Sequence, residues 1–413
     1  MSMRRESKSP KNVSVLISGA SIGGPTLAYW LNQYGFRVTV VERWVGLRPG
    51  GQAIDVRGPA LEVAERMGVL DEMRRRSTDL RGMSVVDDDG EELFRSTEHT
   101  VSGGQIASPD VEILRDDLAR ILYDAGGSDI EYLFGDSIAT IEQDDDEVRV
   151  VFDSGTSRTF DLVVGADGVH SHTRGLVFGP EEDYLRHLGA YLGVWTVPNH
   201  LGLDRWEVIY QMPGRDVWGA MVMSVRGNSE ARAFIGIESD RPPARFLPRD
   251  TVEQKHLVAG AYEGAGWEVP RLLKEMWDAP DFHLDALAQI HLDSWSHGRI
   301  TLLGDAGYCA SPASGQGTTM AMTAAYILAG ELDAALGDHR TAFAAYEREL
   351  RDFVALNQEF ALINRAAMRA KQEAAADQVA PLAPHEDDAS AAVFAKLNAF
   401  RLKDYQAASV PGD

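Results

Sequence analysis

A short stretch near the start of the chain restricts the fold more than any other feature. The apolar run KNVSVLISGA, residues 11–20, is typical of a buried strand, and PTLAYWLNQYG, residues 25–35, predicts a helix beginning near Pro25. FRVTVVER, residues 36–43, follows as a second strand of alternating β-branched residues. Strand, helix and strand in this order predict a βαβ unit, and therefore a parallel sheet in an α/β fold.

The turn between the first strand and the helix has the glycines of a nucleotide-binding loop. The sequence GASIGG supplies Gly19 for a tight turn and Gly24 for close helix–strand packing, with the small Ser21 where a middle glycine is usual. The helix N-terminus offers unpaired N–H groups to an anion. Glu42 lies at the end of the second strand, a position from which a carboxylate accepts hydrogen bonds from the ribose hydroxyls in dinucleotide-binding folds. Arg43 follows it and supplies a positive charge. The turn alone does not decide which dinucleotide binds.

The net charge of the chain limits which kinds of molecule it can bind. The chain has 413 residues, and its 40 basic and 63 acidic residues leave a formal net charge of −23. A nucleic-acid-binding protein needs a basic face, so we expect no nucleic-acid partner. An anionic cofactor must therefore find a local positive site on this acidic chain, and the expected substrate is a small molecule.

Further sequence features bear on compartment and metal content. No apolar run reaches the roughly 18 residues of a transmembrane helix, and the basic start lacks the apolar core of a signal peptide. Cys309 is the only cysteine, which excludes an intrachain disulfide and a cysteine-based zinc site. The acidic runs 87–89 and 144–147 fit solvated hairpin turns better than metal sites. We expect a cytoplasmic monomer or homodimer with no membrane segment and no metal.

The rest of the chain alternates between strand-like and helix-like patterns. The predicted elements are hairpins over 81–94 and 138–152, an amphipathic helix over 111–127, buried strands over 161–168 and 299–307, short aromatic-rich strands between 180 and 285, a long helix over 317–336, and a mostly helical tail from 340 that is broken at Pro381 and Pro384.

Two of the buried strands run into glycine-rich motifs. GADGVHSHTR, residues 165–174, and GDAGYCASPASGQG, residues 304–317, stand in order after the N-terminal turn. Together the three stretches resemble the signature set of the FAD-dependent aromatic hydroxylases, the single-component (class A) flavoprotein monooxygenases. The matching residues of the second and third motifs are Gly165, Asp167, Gly168, Ser171, Arg174, Gly304, Asp305, Pro312, Gly315 and Gly317.

The resemblance implies a non-covalently bound FAD and a set of residues that hold it. Arg115 matches an arginine that lies near the phosphates and ribityl chain in that family, and Asp305 is expected to accept from a ribityl hydroxyl. The loop that opens the long helix is expected to face the flavin ring with its positive dipole end. The expected FAD-binding residues are Gly19, Ser21, Gly24, Glu42, Arg43, Arg115, Asp167, Asp305, Pro312, Gly315, Gln316, Gly317 and Thr318.

The resemblance also implies an architecture: α/β, with a Rossmann-like FAD-binding domain, an inserted mainly β substrate domain and a helical C-terminus. The expected FAD-binding domain comprises residues 12–80, 106–178 and 285–370. The expected substrate domain comprises 81–105 and 179–284, and a helical tail covers 371–413.

The implied activity is hydroxylation of an aromatic or polyketide-type molecule with NAD(P)H and O₂, through a flavin C4a-hydroperoxide. No protein nucleophile is then required, because the cofactor carries the chemistry. Only one dinucleotide fingerprint is present, so NAD(P)H is expected in a groove, with Arg43 and Arg174 as candidates to contact it.

The substrate pocket is expected between the flavin and the aromatic-rich sheet. Its candidate residues are Arg48, Gln52, Asp55, Trp206, Tyr210 and Trp218. Strand alternation predicts that Trp206, Val208 and Tyr210 share one face of the sheet, and that Trp218, Ala220 and Val222 share another.

Other activities fit the sequence less well. A short-chain reductase needs a tyrosine four residues before a lysine, and no tyrosine here has one. A flavin halogenase carries W-x-W-x-I-P, of which GVWTVP keeps only Trp195 and Pro198. Baeyer–Villiger oxidation, dehydrogenation of a natural product and a catalytically inert flavin-binding protein remain as alternatives on the same scaffold.

Overall fold

The chain was examined as a computed structural model, which describes residues 12–212, 216–242, 250–375 and 388–405. The basic N-terminal segment and the prolines at 381 and 384 lie outside the described residues. The strands are β1 Ser14–Ser18, β2 Arg37–Glu42, β3 Ala53–Val56, β4 Met83–Val86, β5 Glu92–Ser96, β6 His99–Thr100, β7 Gly104–Gln105, β8 Val111–Leu114, β9 Glu131–Phe134, β10 Ile138–Gln143, β11 Val148–Phe152, β12 Ser157–Phe160, β13 Leu162–Gly165, β14 Leu185–Val197, β15 Glu207–Gln211, β16 Val217–Val225, β17 Glu230–Glu238, β18 His283–Ile290, β19 Ser296–His297 and β20 Ile300–Leu302.

The helices fall mainly at the start and the end of the chain. They are α1 Gly23–Gln33, α2 Pro59–Arg66, α3 Leu70–Arg75, α4 Arg115–Ala125, α5 His172–Val177, α6 Thr251–Ala261, α7 Val269–Asp278, α8 Asp305–Tyr308, α9 Gly317–Ala334, α10 His339–Ala375 and α11 Asp388–Asn398. In the described part of the chain, no helix is long and apolar enough to cross a membrane.

The first layer is a six-stranded sheet in the order β19-β20-β13-β1-β2-β9. Its five strands from β20 to β9 are parallel, and the short β19 pairs antiparallel at one edge. Val15, Leu16 and Ile17 of β1 are fully buried, as expected of a parallel strand covered on both faces. The predicted βαβ unit is therefore confirmed, and the carboxyl ends of β1, β13 and β20 meet at one edge.

The second layer is a seven-stranded sheet in the order β18-β14-β17-β16-β15-β4-β5. All its neighbours pair antiparallel except β15 and β4. Val208 and Tyr210 lie on the face that packs against α6 and α7, whereas Ile209 and Phe234 lie on the opposite face. The short strands predicted between 180 and 285 are confirmed, including GVWTVP, which lies at the end of β14.

A bulge in β16 changes which residues share a face. Val217 pairs with Ile237 and Ala220 with Ile235, so β16 has one more residue than its partner over this interval. The Trp218 side chain therefore lies on the opposite face of the sheet from Ala220 and Val222. The prediction that all three lie together is wrong, because simple alternation does not account for the extra residue.

The predicted helix over 111–127 begins four residues later than expected. Residues 111–114 form β8, which pairs antiparallel with β3, and α4 starts at Arg115. The alternation of apolar and polar residues in VEIL is equally compatible with a strand, and pairing with a distant segment decides the outcome.

The domain boundaries need one adjustment. Strand β18, His283–Ile290, belongs to the seven-stranded sheet, so a boundary at 284/285 falls within a strand. We propose that the FAD-binding part resumes after β18. The C-terminal segment packs on this same chain, because the Tyr405 ring lies against Gly330 of α9 and the Tyr326 hydroxyl donates to the Lys403 carbonyl at 2.9 Å.

Both acidic runs lie at the turns of the predicted hairpins. Asp87 Oδ1 accepts from the amides of Asp89 and Glu91, at 3.0 and 2.9 Å. Asp144 Oδ1 accepts from the amides of Asp146 and Glu147 in the same manner. These carboxylates stabilise tight turns, as aspartate commonly does.

Candidate active site

One cavity of 2360 Å³ is lined by residues of both sheets. At one end its wall is the turn after β1, with Glu42 and Arg43. At the other end the wall is the seven-stranded sheet together with α10 and α11. Between these ends lie the D-G motif, which is GADGVHSHTR at residues 165–174, the G-D motif, which is GDAGYCASPASGQG at residues 304–317, and the N-terminus of α9. The three sequence motifs therefore meet around one space.

The turn after β1 requires glycine at two positions. Gly19 has a φ of +108°, and a Cβ there would lie 2.4 Å from the Ala166 carbonyl oxygen. A Cβ on Gly24 would lie 1.9 Å from the Gly19 carbonyl oxygen. Gly19 and Ser21 line the cavity, while Gly24 lies beneath the turn and lets α1 approach β1. The amide groups at the start of α1 thus face the cavity.

Glu42 supports this turn from the end of β2. Its Oε2 accepts from the Ala20 amide at 2.8 Å, and its Oε1 accepts from the Trp44 amide at 3.0 Å. A carboxylate has further lone pairs, so it can also accept from a ribose hydroxyl in the cavity. Arg43 is exposed and lines the same end.

Arg115 is a buried cation at the end of the cavity that the turn after β1 forms, which is called the cofactor end below. Its Nη2 donates to the carbonyls of Arg48 and Gly50 at 2.7 and 2.6 Å, and its Nη1 lies 3.4 Å from the Ser21 hydroxyl. Its Nε has no partner among the described residues. Burial, with a smaller contribution from the charge of Arg48, lowers the pKa of the guanidinium to about 10. A buried cation bonded to neutral oxygens is suited to a phosphate.

Asp167 organises the D-G motif from within. Its Oδ2 accepts from the amide and hydroxyl of Thr173 at 2.9 and 2.8 Å, and its Oδ1 accepts from the Ser171 hydroxyl at 2.5 Å. Asp167 lines the cavity, but its carboxylate is largely engaged by its own loop. We therefore propose that it shapes the wall for FAD more than it contacts the cofactor.

Arg174 does not suit the contact with NAD(P)H expected from the sequence. Its side chain is 0% exposed. Its guanidinium donates to the carbonyls of Ala306 and Val169 at 3.0 and 2.8 Å, and to Glu181 at 2.8 Å. Arg174 instead ties the D-G motif to the G-D motif.

Asp305 of the G-D motif points into the cavity. Its side chain is reached by water from the cavity although it lies deep in the molecule. Burial raises the pKa of its carboxyl, and Asp285 contributes to the rise. A Cβ on Gly317 would lie 4.0 Å from Asp305 Oδ1, so the two positions flank the same space. The carboxyl is available to a hydroxyl-bearing group there.

The loop before α9 holds an unusual backbone conformation. Ser311 has φ +84° and ψ +149°, a region that non-glycine residues rarely adopt, and its hydroxyl accepts from the Ala313 amide. Pro312, Gly315, Gly317 and Thr318 line the cavity. Gln316, by contrast, is buried away from the cavity, so its side chain does not take the place expected for a cofactor contact.

Trp218 is the sequence-predicted aromatic residue whose side chain lies on the cavity side of the sheet. Its ring lies against Gly236, where a Cβ would come within 2.2 Å, and its Nε1 donates to Glu238. The Arg365 guanidinium lies 5.7 Å from the ring centroid. Gln52 and Asp55 also line the cavity.

Trp206 is not among the residues that line the cavity, whereas Tyr210 lines it and also packs in the core under α6 and α7. The Trp206 Nε1 donates to the Ser84 hydroxyl at 2.9 Å, and its ring stacks with Arg95 at the edge of the sheet. The Tyr210 ring belongs to the core under α6 and α7, and its hydroxyl contacts Asp88 and the Gly266 amide. Both residues alternate with Ile209, which lies on the opposite face of the sheet.

Known proteins resemble this chain in sequence and in fold. A family model described as an FAD binding domain matches residues 12–361. A flavin-dependent monooxygenase from an unknown prokaryotic organism is 41% identical over 369 residues, which cover 89% of this chain and 94% of that protein. The chain belongs to the family of FAD-dependent monooxygenases. The predicted family, fold class and FAD cofactor are thereby confirmed.

Further proteins are similar to this chain over most of their length. An uncharacterized Mycobacterium tuberculosis protein is 51% identical over 345 residues, 84% of this chain and 91% of that protein. The solved structure of the tetracycline destructase Tet(55) superposes with a TM-score of 0.82 at 36% identity, covering 96% of this chain and 100% of that one. Tet(51) gives the same TM-score at 33% identity, covering 95% and 99%.

The residues of this monooxygenase fit FAD. Gly19, Ser21 and Gly23 of the turn line the cavity, Arg115 keeps a buried Nε without a partner among the described residues, and Asp305 presents a carboxyl to the cavity. Together they offer donors for a pyrophosphate and an acceptor for a polyol chain. The start of α9 lies beyond them and faces the same space.

Several cavity residues of the monooxygenase were not expected from the sequence. The loop His99–Gln105 forms one wall, and Arg57 donates to its Gly103 carbonyl at 2.9 Å. Phe360 of α10 and Phe394 of α11 form another part. No local motif marks these residues, because distant segments bring them to the cavity.

Proposed function

We propose that this chain is an FAD-dependent monooxygenase that uses NAD(P)H and O₂ to hydroxylate a polycyclic aromatic or polyketide-type molecule. The observation that carries the proposal is the single cavity of 2360 Å³ that joins the glycine turn to the substrate face of the seven-stranded sheet. Small-molecule pockets commonly measure about 300–1,000 Å³, so this cavity has room for a dinucleotide and a second molecule.

FAD, when bound, supplies hydride acceptance and the activation of oxygen. The protein supplies binding, orientation and exclusion of water. The turn after β1 and Arg115 would hold the pyrophosphate, Glu42 a ribose, and Asp305 the ribityl chain. The N-terminus of α9, flanked by Gly317 and Thr318, would stabilise negative charge on the reduced ring.

NAD(P)H is proposed to approach the exposed cationic end of the cavity. Arg43 and Arg48 both line it. Burial lowers the pKa of Arg48, and the positive charge of Arg43 is close enough to lower it further. Such a pair attracts an anionic dinucleotide without a binding domain of its own. We therefore retain Arg43 as the NAD(P)H candidate and add Arg48.

The proposed substrate is a large, flat, oxygen-rich molecule. Trp218, Met221 and Phe234 line the sheet side of the cavity, and Phe360 and Phe394 lie on the helical side. Aromatic and apolar walls of this kind suit stacked rings. The likeness to tetracycline destructases at 33–36% identity makes a tetracycline the first substrate to test.

The test is turnover by the purified, FAD-loaded protein. NADH and NADPH oxidation is measured with tetracyclines, other polyketide phenols and simple phenols, and products are analysed by mass. The proposal requires substrate-dependent oxidation of a nicotinamide and a product one oxygen atom heavier. Loss of two hydrogens would instead identify a dehydrogenase. A Baeyer–Villiger product also gains one oxygen atom, so NMR must show whether the new oxygen is a hydroxyl group or lies in an ester or lactone. Flavin binding without turnover of any compound would favour an inert flavin protein.

A further inference from the structure

Two acidic side chains face each other beside the cavity. In the antiparallel pair of β3 and β8, Asp55 stands directly opposite Glu112. Residues opposite each other in a two-stranded ladder project to the same face with close Cβ atoms, and like charges there are unfavourable. Asp55 is 8% exposed, and it lines the cavity while Glu112 lies behind it.

Among the described residues, Arg57 is the cation that lies next to a group of four carboxyl side chains. Arg57 forms an ion pair with Asp55 at 2.7 Å and lies 3.7 Å from Asp110. Glu112 accepts from the Thr78 hydroxyl, and Glu207 of β15 is near enough to raise the pKa of Glu112. Asp55, Asp110, Glu112 and Glu207 therefore cannot all be ionised at low cost.

Two buried carboxyl oxygens lack a hydrogen-bond partner among the described residues. Asp55 Oδ1 and Glu112 Oε1 are both buried and accept no hydrogen bond of normal geometry from the described residues. The Ser102 hydroxyl lies close to Glu112 and opposes the rise in its pKa that burial causes. Glu207 differs, because its two oxygens accept from the Val101 amide and, at 2.7 Å, from the Ser102 hydroxyl. A proton held between the facing carboxyls would satisfy both unpartnered atoms at once.

We propose that Asp55 and Glu112 share one proton across the β3–β8 ladder, and that Asp55 exchanges protons with the molecule in the cavity. The two carboxyls then titrate as one unit, as paired carboxyls do. Burial raises the pKa of Asp55 to about 7, with Arg57 opposing and Glu112 adding to the rise. Burial likewise raises the pKa of Glu112 to about 7.

The proposed step is a proton transfer that prepares a hydroxylated substrate, and this part rests on the proposed function. When Glu112 holds the shared proton, Asp55 is ionised. The O–H bond of a phenol or enol breaks, the proton goes to Asp55, and the bonding electrons stay on the substrate oxygen. The pair returns to one proton by release to water. Asp55 would act as a catalytic base and Glu112 as a positioning residue.

The first experiment measures protonation directly and needs no substrate. Infrared spectra of the FAD-loaded protein are recorded between pH 5 and pH 9, for the wild type and for Glu112→Gln and Asp55→Asn. The wild type should show a protonated-carboxyl band that titrates near neutral pH. In Glu112→Gln the opposing charge is gone, so Asp55 should ionise at least about one pH unit lower. An unchanged titration in Glu112→Gln would overturn the proposal.

Glu207→Gln is the matched control, since it removes a buried carboxyl whose oxygens already have partners. The Asp55–Glu112 band should persist in this variant. If Glu112→Gln does not fold, the free energy of unfolding of the wild type is measured in urea as a function of pH instead. A shared proton is retained when folded but released when unfolded, so stability should fall as pH rises from about 4 to about 7 and level off above. Stability that stays level or rises over this interval would contradict a retained proton.

Turnover then tests the catalytic part. Once a substrate is known, the pH dependence of kcat/KM is measured for the wild type and for Glu112→Gln. In Glu112→Gln the acid limb of this profile should move to lower pH by about one unit or more. At a given pH on that limb, the ionised fraction of Asp55 would then be roughly tenfold higher. An unmoved limb would remove Asp55 as the base. Absence of turnover with any compound would count against the proposed function, while the infrared titration would still decide whether the proton is shared.

Discussion

The cofactor end and the substrate end of the cavity are built in different ways. At the cofactor end the backbone sets the shape: Gly24 admits no Cβ, and Arg115 holds the Arg48 and Gly50 carbonyls in place. At the substrate end, side chains from a bulged sheet and two distant helices line the space, with Trp218 placed by an extra residue in β16. The cofactor end should therefore tolerate little change, while the substrate end should tolerate change at the cost of specificity.

The largest effect is expected from Gly24→Ala. The new Cβ would lie 1.9 Å from the Gly19 carbonyl oxygen, and backbone must move to relieve the contact. We expect a loss of about 3 kcal/mol in stability, at the upper end for overpacking, together with loss of FAD. Flavin absorbance of the purified protein and the thermal midpoint measure both. Gly46→Ala, with nothing within 4 Å of its Cβ, is the control and should retain FAD.

Arg115→Met should weaken the cofactor end without abolishing the fold. The change removes a buried charge and leaves the carbonyls of Arg48 and Gly50 unpaired. We expect the Kd for FAD to rise about 10- to 100-fold, the worth of one charged hydrogen bond. Titration by flavin fluorescence quenching checks it. Arg115→Lys keeps the positive charge but lacks the planar guanidinium with its several N–H donors, so an intermediate Kd for FAD is expected. If Arg115→Met bound FAD with the wild-type Kd, Arg115 would not be part of the cofactor site.

Trp218→Ala tests the substrate end. Because Trp218 lines the sheet side of the cavity, its removal should raise KM for a polycyclic substrate about tenfold and leave the Kd for FAD unchanged. Steady-state kinetics and FAD titration separate the two. Trp206→Ala removes an equal ring from the opposite face of the sheet and should leave KM alone. Similar KM changes in both variants would mean that the cavity face of the sheet has been misassigned.

The smallest effect on kinetics is expected from Arg43, which is exposed at the cofactor end of the cavity. Arg43→Ala should raise KM for NAD(P)H about threefold, because an exposed charge contributes little and is screened by salt. The difference from wild type should shrink as salt is added. Arg37→Ala, an exposed arginine at the other end of β2, should match the wild type. A KM effect that persists in high salt would point to a direct, buried contact instead.

The accuracy of sequence-based prediction follows the same division. The βαβ unit, the glycine turn and the D-G and G-D motifs depend on neighbours within a few residues, so their patterns predicted them. Residues 111–114 were predicted as helix and form a strand, because pairing with β3 outweighs a local pattern that fits both. Arg174 was predicted to meet NAD(P)H, yet it is buried between two motifs that are far apart in the sequence.

The sequence by itself determined the Rossmann-like layer and the FAD-binding motifs, since tight turns and helix starts impose their requirements on consecutive residues. Only the tertiary structure decided which residues line the substrate space, where the bulge directs Trp218, and that Asp55 faces Glu112. Those arrangements depend on register and on contacts between distant segments. A shift of one residue exchanges the faces of a strand, and no local pattern records that shift.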